Sequence, residues 1–128
     1  VKLHDPMGQR ELVELIHNSD TVLAPLPPND RNLEQGCCPL KVIEAMAAGT
    51  PLIASDMPVV SALARNEAEA LLVRPGSAKA IKDGLLRLRE SPALGQSLSQ
   101  RARSRVEKQF TWVHATARLL DSYRGLLD

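Results

Sequence analysis

Short aliphatic runs alternate with stretches of helical periodicity along the whole chain, and this alternation limits the possible folds more than any other feature. "TVLAPL" (21–26), "PLIAS" (51–55) and "ALLVR" (70–74) read as strands buried on both faces, because none has the every-other-residue polarity of a half-solvated strand. Val1-Lys2-Leu3 reads as part of an opening strand. Helical patterns over 9–18, 39–48, 58–64 and 77–89 separate these runs, and two further helices close the chain over 92–109 and 112–127, the last with Thr111 as its cap. Parallel strands need crossovers of this kind. The expected architecture is therefore α/β: a doubly wound, Rossmann-like open parallel sheet of about four strands, with helices on both faces and a helical C-terminus.

A chain of 128 residues is one domain, large enough to bury roughly two-thirds of the surface it exposes when unfolded. Aromatic residues make up only 2% of it, so aliphatic side chains and alanines must fill the core. A formal charge of +1 gives no global field to recruit nucleic acid or anionic lipid. Cys37 and Cys38 are adjacent, too close for ordinary disulfide geometry, and read as free thiols in a reducing compartment. There is no long apolar span and no signal-peptide pattern, so the expected location is cytoplasmic. The opening strand has no lead-in, as in a piece excised from something longer.

The helix over 39–48 is unusual for a surface element. On a 3.6-residue wheel Val42, Met46, Ile43, Ala47 and Leu40 form the expected core face, and the remaining sector holds Glu44, Ala48, Lys41 and Ala45. Two functional groups among methyls suit close approach of something bulky. An i,i+3 ion pair between Lys41 and Glu44 would explain the same residues at about 0.2 to 0.5 kcal/mol, and the wheel leaves both readings open. Position favours a ligand. The proline-punctuated loop after the strand at 21–26 lies at the carboxyl end of the sheet, where such sheets bind, and the helix that follows points its free amides there as an anion site. Pro39 has no N–H, so the donors are the amides of Leu40 and Lys41, with the Lys41 ammonium beside them. Glu44, one turn deeper, suits a vicinal diol. An anion and a diol together point to a nucleotide.

"PLKVIEAMAAGTPLIASDMPVV" (39–60) resembles the signature of the family 4, or group 1, retaining GT-B glycosyltransferases in their C-terminal nucleotide-sugar-binding domain. "VKLHDPMGQRELVELIHNSDTVLAPLP" and "EALLVRPGSAKAIKDGLLRL" are similar to the flanking stretches of that domain. The resemblance implies that Glu44 binds the ribose hydroxyls of a nucleoside diphosphate sugar, that the helix start over Cys38, Pro39, Leu40 and Lys41 holds the diphosphate, and that the segment from His4 and Asp5 to Met7 borders the base. The donor is the substrate, and no cofactor is implied. Many members carry an E-x7-E motif whose first glutamate meets the donor sugar; Gly36 stands at that position here, and Glu34 lies two residues too early. The family also implies a preceding acceptor domain and a first βαβ unit. Residues 1–128 are then the distal part of the donor domain, expected to be inactive alone and to bind donor only near millimolar.

Other chemistries fit less well. His4, His17 and His114 are too dispersed for a metal motif, and no Walker loop, G-x-S-x-G or G-x-G-x-x-G occurs. Eight lysines and arginines between 79 and 108 face only three acids. With so few aromatics to stack on bases, a solvated helix face fits this stripe better than nucleic-acid binding, and peripheral contact with anionic lipid at the inner membrane face is a further option. Trp112 is expected to anchor a helix start in the core. A nucleotide-sugar epimerase fragment and a non-catalytic interaction domain with basic helices are the alternative functions.

Overall fold

The computed structural model describes residues 2–127, without the side chain of Leu127. In chain order the elements are α1 (Gln9–His17), β1 (Val22–Ala24), a single π-helical turn (Arg31–Gln35), α2 (Leu40–Ala48), β2 (Leu52–Ser55), α3 (Pro58–Ser61), β3 (Leu71–Val73), α4 (Ala78–Glu90), α5 (Pro92–Gln109) and α6 (Trp112–Leu127). The sheet is parallel in the order β1-β2-β3, with Leu23 opposite Ile53 and Ile53 opposite Leu71. The sheet has three strands among the described residues, not four. Lys2 and Leu3 have no regular structure, Leu3 is almost fully exposed, and Val1 lies outside the described residues.

The pleat sends successive residues of each strand to opposite faces, and both faces are covered. Leu52, Ala54 and Ala24 pack with Val42, Ala45 and Met46 of α2. On the other side Ile53 and Leu71 pack with Leu98, Leu88 and Leu94. Helix α5 serves both layers, placing Leu98 in the second and Ala102 and Val106 in the first. Fully burying a Leu, Ile, Val or Met side chain is worth about 1.5 to 3 kcal/mol, so this two-sided core is the main source of stability. The layer over β1 is incomplete: Leu23, in register with the buried Ile53, is 43% exposed.

Two expectations need correction. On α2 the buried face is turned from the expected one: Ala45 is fully buried, whereas Leu40 is 64% exposed and Ala47 is exposed. Helix α5 packs along α2 and claims the Ala45 side, which local periodicity cannot foresee. Trp112 is not a core anchor but is 88% exposed. Helix α6 presents Trp112, Val113, Leu119, Leu120, Tyr123 and Leu126 to solvent. Thr111 stands at the cap position before α6 as expected, its carbonyl accepting from the Ala115 amide at 3.0 Å and its hydroxyl 2.7 Å from His114 Nδ1.

The basic stripe of α4 and α5 is largely engaged within the chain. Lys79 pairs with Asp83, Arg87 with Glu67 and Arg103 with Glu107, while Arg101 and Arg105 donate to the carbonyls of Ala68 and Leu63. No helix of the described residues is long and apolar enough to cross a membrane.

Candidate functional site

Ser55, the last residue of β2, accepts a hydrogen bond from the Leu26 amide at 2.9 Å and so fixes the chain as it leaves β1. The following loop is held by Asn32, which is 5% exposed. Its Nδ2 donates to the Pro27 carbonyl at 2.8 Å, and its backbone amide reaches Asn29 Oδ1 at 3.1 Å. The Cys37 thiol donates to Asn32 Oδ1 at 3.3 Å. The polar side chain thus substitutes for the ladder bonds that prolines deny this segment. Gly36, with φ 74° and ψ 138°, then turns the chain toward α2, a conformation open to glycine at little cost.

Between this loop and the start of α2 lies a cleft of about 460 Å³, lined by Leu26, Pro27, Asn29, Arg31, Asn32, Cys37, Cys38, Pro39, Leu40 and Lys41. It sits at the carboxyl end of β1. Its wall contains two cations and no acid. Neither Arg31 nor Lys41 has an acidic partner among the described residues. Pro39 caps α2 without a side-chain bond, and the first paired amide is that of Val42, 2.9 Å from the Pro39 carbonyl. The amides of Leu40 and Lys41 have no protein partner among the described residues. Unpaired amides, the positive end of the helix dipole and two cations combine into a seat for an anion.

Glu44 is half-buried and lies in a separate crevice of about 260 Å³ between α1 and α2, lined by Gln9, Leu12, Val13, Ile16, Ala47 and Ala48. It stands one helical turn beyond Leu40 and on the same side of α2 as Lys41, but the two depressions share no lining residue. Its carboxylate makes no hydrogen bond or ion pair with the described residues, Lys41 included. Helix α1 is strapped over this crevice at its far end, where Thr50 donates to the Ile16 carbonyl at 2.8 Å and His17 Nδ1 meets the Ala48 carbonyl at 3.0 Å. Gly49 ends α2 in the left-handed conformation expected of it, with the amides of Gly49 and Thr50 closing on Met46 and Ala45.

The structure thus brings Cys38, Pro39, Leu40 and Lys41 to one cleft and places Glu44 in a separate crevice. His4 and Asp5 are exposed in the segment before α1 and line neither depression, and Gly36 shapes the loop without lining the cleft. Sequence reasoning missed Arg31, Asn29 and Asn32. The available signal was their place in the loop after β1, with Arg31 its only cation. No three His, Cys, Asp or Glu side chains among the described residues cluster as metal ligands would.

Residues 1–105 match the family model described as "Glycosyl transferases group 1". The D-inositol 3-phosphate glycosyltransferase of Saccharomonospora viridis is 31% identical over 119 residues, covering 93% of this chain and 26% of that protein. The sucrose-phosphate synthase of Thermosynechococcus elongatus has a similar fold, with a TM-score of 0.75 and 28% identity over 91% of this chain and 28% of its own. The HepE protein of Anabaena, solved in complex with UDP, shares the fold at a TM-score of 0.74 and 16% identity, over 88% of this chain and 29% of its own. The chain spans about a quarter of the length of the curated relative it matches. With more than four-fifths of its residues inside the family model, this chain belongs to the group 1 glycosyl transferases.

Proposed function

We propose that the chain is the distal part of the donor-binding domain of a longer glycosyltransferase, which moves a sugar from a nucleoside diphosphate sugar to an acceptor with retention of configuration. The observation that carries this reading is the acid-free cleft at the start of α2, with unpaired amides at Leu40 and Lys41 and unpaired cations at Arg31 and Lys41. A diphosphate seated there has charge-assisted donors on one side. The Glu44 carboxylate, one turn deeper and without a protein partner, accepts from the two ribose hydroxyls. UDP bound to a protein of the same fold supports the ligand class. The half-exposed Leu23 on edge strand β1 supports a further unit beside the sheet.

In this role the residues act electrostatically. As the bond from sugar to phosphate breaks, negative charge grows on the leaving diphosphate. The Leu40 amide, the Lys41 ammonium and the helix dipole are already oriented toward it and need little reorganisation. Glu44 holds the nucleoside in register, which is a positioning task.

The test is acceptor-dependent release of nucleoside diphosphate by the full-length protein, with the anomeric configuration of the product read by NMR. Release with a retained anomer is expected. Release without any acceptor dependence, or an inverted product, overturns the reading.

A further inference from the structure

Two thiols on adjacent residues of an extended chain point to opposite sides. Here the chain turns at Gly36 before the pair and is capped by Pro39 after it, and Cys37 and Cys38 both line the same cleft. Cys37 is half-buried and Cys38 exposed, and both are free. The only side-chain bond of the pair is the weak thiol donation from Cys37 to Asn32 Oδ1. Consecutive Cα atoms lie about 3.8 Å apart, below the roughly 4.4 to 6.8 Å that disulfides span, so the two sulfurs do not readily oxidise onto each other. They persist as free thiols on two neighbouring residues of a 460 Å³ cleft.

We propose that Cys37 and Cys38 form a chelating dithiol site for a monosubstituted trivalent arsenical, and that its occupation closes the cleft to a diphosphate. The second half of this proposal rests on the donor reading above; the first does not. The chemistry is exchange without redox. The two S–H bonds break and two As–S bonds form, and the arsenoxide oxygen leaves as water with both protons. Arsenic stays trivalent, with its carbon substituent as third ligand. The substituent then projects into the cleft beside the Leu40 and Lys41 amides. Because the second As–S bond forms within one chain, the chelate outcompetes a monothiol by effective concentration and yields only to another dithiol.

The experiment treats the full chain with phenylarsine oxide in excess 2-mercaptoethanol and reads intact mass, then titrates UDP into treated and untreated protein. One adduct should survive on the parent, leave on adding dimercaptopropanol, and fail to survive on Cys37→Ser or on Cys38→Ser. Circular dichroism confirms that each variant is folded. Treated parent should bind UDP at least tenfold more weakly than untreated, with affinity restored on release. Retention of the arsenical by either serine variant overturns the dithiol site, as does its absence from the parent. An adduct that leaves UDP affinity unchanged overturns the closure. A parent that fails to bind UDP before treatment overturns the donor reading and the closure with it, while the mass measurements still decide the dithiol.

Discussion

Ser55 and Leu26 are 29 residues apart in sequence and joined by one buried hydrogen bond, from the Leu26 amide to Ser55 Oγ at 2.9 Å. This bond connects the sheet to the mouth of the cleft: Ser55 ends the central strand, and Leu26 is the first cleft residue beyond β1. Both residues are buried, and removing the hydroxyl takes away the acceptor of the Leu26 amide. Ser55→Ala should therefore destabilise the fold by about 1 to 3 kcal/mol in denaturant unfolding, the cost of an orphaned buried donor. Hydrogen exchange at the Leu26 amide should accelerate more than at the amides of α4.

Glu69 is the buried carboxylate among the described residues, at 2% exposure. Burial alone would raise its pKa, but hydrogen bonds from the Arg65 side chain and amide, with the charges of Arg65 and Arg105, outweigh that and hold it below the usual carboxylate range. A carboxylate with a depressed folded-state pKa contributes stability above its unfolded pKa and loses it as pH falls through the folded value. Unfolding midpoints should therefore drop as pH falls below about 4. Glu69→Gln should be less stable at neutral pH and show a shallower acid decline; an unchanged decline would contradict this role.

Gly84 of α4 lies against the sheet, where an added Cβ would stand 3.2 Å from Ile53 Cδ1. Gly84→Ala sets a helix-propensity gain of about 1 kcal/mol against this tight contact, and should change stability little. Gly84→Val adds branches with nowhere to go and should cost about 1 to 3 kcal/mol by thermal or chemical unfolding.

The parts of this molecule that were legible in the sequence depend on local pattern. Continuous apolar runs marked β1, β2 and β3, and Gly49 marked the stop of α2, while Pro39, expected in its first turn, is its cap. The orientation of α2 was not legible, because Ala45 is buried by α5, which arrives from far along the chain. Trp112 misled because a large apolar side chain signals burial only where a partner covers it, and here it stands exposed. Of the proposed anion seat, the free amides of Leu40 and Lys41 follow from helix geometry. The contribution of Arg31 depends on the fold of a loop that Asn32 organises through side-chain bonds without a periodic signature.

Lys41 is exposed and has no ion-pair partner among the described residues, so its proposed role as a point charge in the anion seat is separable from the fold. Lys41→Ala should leave the unfolding midpoint within error. UDP affinity should fall by about tenfold, as expected for one lost charge-assisted contact. Raising salt should weaken the parent more than the variant.

The joint role of α2's first turn and Glu44 is decided by titrating UDP into the isotope-labelled chain and following backbone amides by NMR. The expected result is a saturable shift of the Leu40 and Lys41 amides, with a smaller response across α2 near Glu44, and loss of that response in a folded Glu44→Ala variant. Shifts confined to other elements, or identical titrations of parent and variant, would contradict a nucleotide held between the helix start and Glu44.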